Sequence, residues 1–461
     1  MNGAAASVTE ELAAVIVDTR FEDLPEAVVT AASQVVLDAC ANMLAGSCEP
    51  MAGTIVDAMV SIYGSGGEAP HTVVGHSRTL PMLSAVFVNS VFCHCVDFEM
   101  MWFPLTHPTS PTVPAFLALA EQQPISGKEL TLAIALSFEV QGRLRKATVD
   151  GGIPHLWGLH PPGVVGVIGC AAGSAKLLGL DRKATAMAMS MACSRASGVM
   201  VNTGTMTKAS HSGNAARLGL ECALLVAAGV TASTVGLEGH HGLNNTLYGG
   251  KLRLDDIVPA FGRPYRMVDP GLAVKRFPSQ YPTHWSIEAA LAVRKTSMLT
   301  PDEIVEVEVV VGANNESAVR VWPTSGLDGK FCLAYTVAAA LLDGRVVIGT
   351  FRDERLARDD MGTIRPKIRI TLDPTLDAMD FSAARSTVRV TTARRGVLEA
   401  TVTRPLGIWD NPLGQAEREA KFDACAEEVS LPEAKRTQLK ERLRALKDDT
   451  DVAGLLAFLR S

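Results

Sequence analysis

The stretch GVVGVIGCAAGSAKLLGL, residues 163–180, carries no charge before Lys176 and places glycine at 163, 166, 169 and 173. Spacings of three and four put those glycines on one side of a helix, where the missing Cβ lets a neighbouring helix come close. A helix that is apolar nearly all round has no face to give to water, so it must be enclosed by others. Further segments share this character: LPEAVVTAASQVVLDACANMLAG, LTLAIALSFEVQGRLRKA, RKATAMAMSMACSRASG and GNAARLGLECALLVAAG. From residue 8 to about 265, one helical pattern follows another, which predicts a crowded helical bundle. Composition agrees, because 47% of residues are hydrophobic but only 5% aromatic, a supply of small aliphatic side chains suited to close helix packing. Ser7 and Glu10 form a capping-box pattern, and Pro25 and Gly46 stand where an N1 proline and a C′ glycine would bound a helix.

The texture changes after VDPGLAVKRFPSQYPTHW. EIVEVEVVVG alternates as a half-buried strand does, as do KIRITL and the pair STVRVTT and GVLEATV, which the short link ARR joins as a hairpin. FCLAYTVAAALLDG between them reads as a helix. A chain of 461 residues also exceeds the roughly 250–300 at which one core stops growing. The expected fold is therefore mainly α: a large all-helical domain of residues 1–267 with 405–461, and a smaller α+β domain of residues 268–404.

A net charge of −6 with the signs mixed gives no electrostatic footprint for nucleic acid or an anionic membrane. The N-terminus lacks a basic leader, and the apolar runs read as too short or too interrupted to span a bilayer, so a soluble cytoplasmic protein is expected. Nine cysteines lie scattered, mostly in apolar helical runs, and none forms a CxxC pair. They read as reduced core thiols, and the CHC at 93–95 lacks a second ligand pair, so no metal is expected. Dinucleotide, P-loop and nucleophile-elbow motifs are absent.

Polar residues that do not suit such a core collect at four places. CVDFEMMWFPLTHPTSPTVP carries Asp97 and His107, and HLWGLHPPGVVG sets His155 and His160 ahead of a helix. GTMTKASH supplies Lys208 and His211, and KRFPSQYPTHW adds Lys275, Arg276 and His284. Each stretch joins Gly or Pro punctuation to a buried helix, the kind of loop on which binding and catalytic groups concentrate. Lysine, arginine and histidine together suit a small polyanionic substrate.

These same stretches resemble the MmgE/PrpD family of 2-methylcitrate dehydratases and cis-aconitate decarboxylases. The similarity runs over essentially the whole length, through Asp97–Pro108, Gly158–Gly166, Gly204–Ala216, Lys275–Trp285 and NPLGQAEREAKFDAC. It implies a helical domain with an α+β lid, a cleft between them, a homodimer, and neither metal nor organic cofactor. It places the active-site residues on Asp97, His107, His160, Lys208 and Lys275; Arg276, Met101, Phe103 and Gln280, which lie in the same stretches, are expected as further substrate-binding positions. The sequence departs from the family at Glu99, Met100 and Met101, where a further acidic residue and a threonine are usual. It departs again at Phe103 and Gln280, where the decarboxylases carry histidine.

On this resemblance the chain is a cofactor-independent lyase, a dehydratase or decarboxylase, acting on a small di- or tricarboxylic acid. His107 and His160 would move protons, Lys208 and Lys275 would hold carboxylate charge, and Asp97 would orient a partner. The alternatives are an epimerase working by α-proton transfer and a non-catalytic family member that only binds its ligand.

Overall fold

The computed structural model describes residues 7–65, 67, 70–153, 158–376 and 384–460. The chain forms two compact units, one of Met1–Cys95, Glu99–Leu272 and Gly414–Ser461, the other of Val96–Phe98 and Ala273–Leu413. Both expected boundaries thus move, by five residues at 272 and nine at 413, and a three-residue piece of the first stretch joins the smaller unit. The reason is hydrogen bonding that hydrophobic period does not reveal. Val274 N–H donates to the Gly407 carbonyl at 2.8 Å, and Gly407 N–H donates to that of Asn411 at 2.7 Å, so residues 405–413 stay with the smaller unit.

In the larger unit the main helices are α1 (Val8–Asp18), α2 (Glu26–Gly46), α3 (Met51–Tyr63), α4 (Met82–Cys95), α5 (Val113–Ala120), α6 (Gly127–Asp150), α7 (Pro161–Leu177), α8 (Arg182–Cys193) and α9 (Thr207–Ala227). α1 begins on the expected capping box, Ser7 with Glu10. α7 is enclosed by α6, α8 and α9, and its glycines do what their spacing predicts. A Cβ at Gly169 would come within 2.7 Å of the Ser137 carbonyl on α6, and one at Gly173 within 2.3 Å of the Phe116 ring.

Three details correct the sequence reading. Pro25 is the N-cap of α2, and Gly46 is its last helical residue instead of a C′ glycine. Gly46 is needed for contact, since a Cβ there would lie 2.0 Å from the Phe92 carbonyl oxygen. The unit is not wholly helical, because His71–Thr72 (β1) and Thr79–Leu80 (β2) pair antiparallel. Finally, α2 is long and apolar enough to cross a membrane by length and composition, contrary to expectation, although 67% of that window is buried in the structure.

A further short helix of this unit is α10 (Leu243–Tyr248), and after the smaller unit, whose two longest helices are α11 (His284–Ser297) and α12 (Leu333–Asp343), the chain returns in α13 (Gln415–Glu427) and α14 (Glu433–Arg444). α13 packs on α2, where Lys421 Nζ meets Asp38 Oδ1 at 2.7 Å, both side chains buried. The other oxygen of Asp38 accepts from Met100 N–H at 2.8 Å and from the Asn42 side chain at 3.1 Å. A buried charge pair is tolerated only when its remaining lone pairs are used, and here they fasten the chain beside Glu99.

The smaller unit is built on a four-stranded sheet in the order β4 (Ile368–Leu372), β3 (Ile304–Val311), β5 (Ser386–Thr392), β6 (Gly396–Val402). β3 and β4 run parallel, while β5 pairs antiparallel with β3 and with β6 through the expected hairpin. Burial alternates along β5, with Val388 and Val390 facing inward. Helices α11 (His284–Ser297) and α12 (Leu333–Asp343) supply Ile287, Val293, Tyr335 and Leu341 to the core against those valines.

Candidate functional site

α4 is apolar along nearly its whole length, yet it ends by burying His94. His94 Nδ1 makes a short contact with Glu99 Oε1, and neither side chain reaches solvent. Ser110 completes the arrangement, its N–H donating to Glu99 Oε2 and its hydroxyl to Oε1, both at 2.8 Å. Local structure makes this possible. Met100 N–H is held by Asp38, Trp102 bridges to Thr106, and the chain turns back so that Ser110 reaches α4, where the Ser90 hydroxyl donates to its carbonyl at 2.6 Å. The same turn brings His107 edge-on to His94, with ring centres 5.1 Å apart and Nδ1 3.7 Å from Glu99 Oε1. Donors converge on this carboxylate from several sides, which suits its charged form.

His160 is the N-cap of α7, and its backbone N–H donates to the Gly198 carbonyl at 2.8 Å. Its ring lies 5.3 Å from that of His94 and 5.3 Å from that of His211, and the Nδ1 atoms of His160 and His211 are 3.3 Å apart. His211 stands in the second turn of α9, and Lys208 one turn earlier, half-buried. Burial, helped by the charge of Lys208, holds His211 below the usual histidine range. Gly198, at φ +109°, packs on the His211 ring, and a Cβ there would come within 3.0 Å of Cγ.

The larger unit therefore holds a row of four imidazoles, His107, His94, His160 and His211, with Glu99 Oε1 against both His94 and His107 and with Lys208 one turn before His211 on α9. Of the predicted residues it brings together His107, His160 and Lys208. The ligand atoms of His94, Glu99 and His107 lie within 4.8 Å of one another, a set able to hold a metal ion, which the sequence reading did not foresee. In the structure, Glu99 is instead engaged by His94 and Ser110.

The remaining predicted residues have other surroundings. Asp97, at φ +52°, and Lys275 form a buried ion pair in the smaller unit. Lys275 Nζ donates also to the Asp97 carbonyl at 3.0 Å and the Ser279 carbonyl at 3.1 Å, so three acceptors match the three protons of its ammonium. Fully buried Lys330 donates to the Val96 carbonyl at 3.3 Å, and the two lysines together fix the 96–98 segment in that unit. Arg276 pairs with Glu288 at 3.1 Å, and Gln280 Nε2 donates to the Ser317 hydroxyl at 2.7 Å. His284 is a core residue, edge-on to Phe277. In the larger unit Met101 is buried and Phe103 half-buried, its carbonyl accepting from Arg266 at 2.9 Å. His155 lies outside the described residues.

Sequence reasoning gave His94, Glu99, Ser110 and His211 no role in the site. His94 was in view as part of CHC, but adjacent helical positions do point apart: Cys95 Sγ turns to the Gly46 carbonyl. The available signal was a histidine and a glutamate five residues apart at the end of an otherwise apolar helix, two ionisable groups that burial forces to find each other. Burial pushes the thiols of Cys40, Cys170 and Cys425 up to about 12, as suits core cysteines.

Residues 10–255 match the MmgE/PrpD N-terminal domain and residues 277–445 the MmgE/PrpD C-terminal domain. The chain is 30% identical to the cis-aconitate decarboxylase of Homo sapiens over 467 residues, covering 98% of this chain and 95% of that protein. It is 25% identical to the cis-aconitate decarboxylase of Aspergillus terreus, covering 99% and 97%. Against the 2-methylcitrate dehydratase of Escherichia coli (strain K12) identity is 23%, covering 72% of this chain and 70% of that protein.

Proposed function

The chain belongs to the MmgE/PrpD family, and from that membership we propose that it is a cofactor-independent lyase acting on a tricarboxylic acid of the cis-aconitate or 2-methylcitrate type. The observation that carries the proposal is the imidazole row, with the Glu99 carboxylate against His94 and His107 and Lys208 on the helix that carries His211. Environments that push titrating groups apart assign acid and base. Of the two histidines beside Glu99, His107 is the more exposed and serves as the proton donor. His160, at a helix N-terminus and next to a histidine held neutral, is the base. Lys208 takes a substrate carboxylate and stabilises the charge that grows on it.

Both family reactions need these parts. In decarboxylation the bond to the departing carboxylate breaks, carbon dioxide leaves, and the electron pair delocalises into the remaining unsaturated acid before His107 protonates carbon. In dehydration His160 removes the proton α to a carboxylate and His107 protonates the hydroxyl, which leaves as water. Lys275, whose donors are turned to Asp97 and two carbonyls, serves as a positioning group in its own unit.

A homodimer and a cytoplasmic location belong to the same proposal. Val199, Val201 and Met206, exposed at 51%, 86% and 46%, support a second copy covering that segment. The test is a panel of cis-aconitate, 2-methylcitrate and citrate followed by NMR, with metal analysis of the same sample. Turnover of one acid by metal-free protein is expected. No turnover across the panel, or activity that tracks bound iron or zinc, would overturn the proposal.

A further inference from the structure

We infer that His211 is a positioning residue for His160: its Nδ1 accepts the Nδ1 proton of His160, fixing the tautomer in which His160 presents an unprotonated Nε2 to the substrate. The inference rests on the function proposed above for His160, and it starts from one contact. The two Nδ1 atoms are 3.3 Å apart, so a single hydrogen lies between them. When both rings are neutral, one therefore carries its proton on Nδ1 and the other on Nε2.

Two arrangements satisfy that contact, and only one survives a catalytic cycle. If His211 donated, His160 would keep its proton on Nε2. Protonating it would then set two N–H groups against each other. If His160 donates, its Nδ1–H stays in place while Nε2 gains and loses a proton, and His211 remains an acceptor throughout. A base that must alternate between neutral and cationic forms needs the second arrangement.

The surroundings favour it as well. The groups facing the pair are the His94 ring from α4, Lys208 from the same helix as His211, and the uncharged backbone of Gly198; Glu99 and His107 stand beyond His94. Lys208 and burial both discourage a proton on His211, so it is available as an acceptor. Gly198 lies close against the ring, where any Cβ would press on Cγ. Conventional triads use a carboxylate at this place, and a neutral imidazole holds the tautomer without adding a negative charge beside the substrate carboxylates.

The test is nitrogen NMR of histidine-labelled full-length protein, with His211→Phe and His211→Asn as variants. In the unaltered protein at neutral pH, His160 is expected as the Nδ1–H tautomer and His211 as the Nε2–H tautomer. The reverse pattern, or a cationic His211, overturns the inference without any variant being made. Phenylalanine keeps the ring under Gly198 but removes the acceptor. It should lower kcat by about 100-fold with little change in KM, and move the acidic limb of the kcat/KM profile to lower pH. Asparagine sets an amide oxygen near the Nδ1 position and should restore most of the lost rate. Phe and Asn variants that are equally impaired, or a Phe variant as active as the parent, would refute a positioning role. Should the protein turn over no acid at all, the proposed function falls, while the tautomer measurement still decides this inference.

Discussion

Glu99→Gln removes a charge from a sealed site while keeping its volume, and the structure says where the cost falls. Glu99 accepts from Ser110 N–H, the Ser110 hydroxyl and His94, with His107 Nδ1 3.7 Å away. An amide has one oxygen, so its NH2 faces either Ser110 N–H, donor against donor, or His94 Nδ1 and the Ser110 hydroxyl, where it displaces the protons that Oε1 accepts; a buried donor left without an acceptor costs about 1–3 kcal/mol. If the His94 ring is protonated on both nitrogens, it also becomes an uncompensated buried charge, and the total approaches about 3–5 kcal/mol. Urea unfolding should therefore show a loss of about 3 kcal/mol with an unchanged slope.

Turnover should fall further than stability explains. A carboxylate 3.7 Å from an imidazolium contributes roughly 4 kcal/mol at an effective dielectric constant near 20, before the solvation both groups gave up. A net loss of about 100-fold in kcat, with KM changed by less than about threefold, follows for a weakened general acid. An E99Q protein with unaltered unfolding midpoint and unaltered kcat would refute both the buried network and the donor role of His107.

Other outcomes follow from the same geometry. Lys208→Ala should cost about 3 kcal/mol of transition-state stabilisation, measured as kcat/KM on cis-aconitate, and change unfolding free energy by much less, about 1 kcal/mol or below, because the side chain is only partly buried. Gly198→Ala, strained at φ +109° and pressed on His211, should destabilise by about 1–3 kcal/mol and lose activity in the same assays. Lys421→Met leaves Asp38 buried without its cation and should cost about 3–5 kcal/mol in urea unfolding, although it is remote in sequence from every candidate catalytic residue.

The folded state holds His211 below its ordinary range, so the unfolded chain binds more protons. The stability this contributes is present above the unfolded histidine value and is lost as pH falls below it towards the depressed folded one. Thermal unfolding at about pH 7.5 and about pH 5.5 should show a smaller acid loss in His211→Asn than in the parent.

Much of this molecule is legible in its sequence because one physical rule dominates each part. Helices apolar all round must be enclosed, and Gly166, Gly169 and Gly173 mark the crossings, so the bundle could be read directly. Alternation in EIVEVEVVVG and STVRVTT gave β3 and β5 for the same reason. What escaped depends on contacts that spacing does not encode. Asp97 joins the smaller unit because Lys275 and Lys330 hold its segment from 178 and 234 residues away. His211 looked like one more polar residue after Lys208, yet its value lies in touching His160, 51 positions earlier. Glu99 looked like a departure from a pattern, and folding turned it into the carboxylate that three groups share.

The central claim is that the imidazole row is the proton-transfer centre of a lyase. Its most direct test is NMR of cis-aconitate turnover in deuterated water, comparing the parent protein with His107→Asn, which retains a hydrogen-bonding group but cannot act as an acid. The account predicts a parent product carrying deuterium at the carbon that gains the proton, and a variant that is folded yet slower by about 100-fold or more. A folded His107→Asn protein that forms the same deuterated product at a rate near the parent's would contradict it.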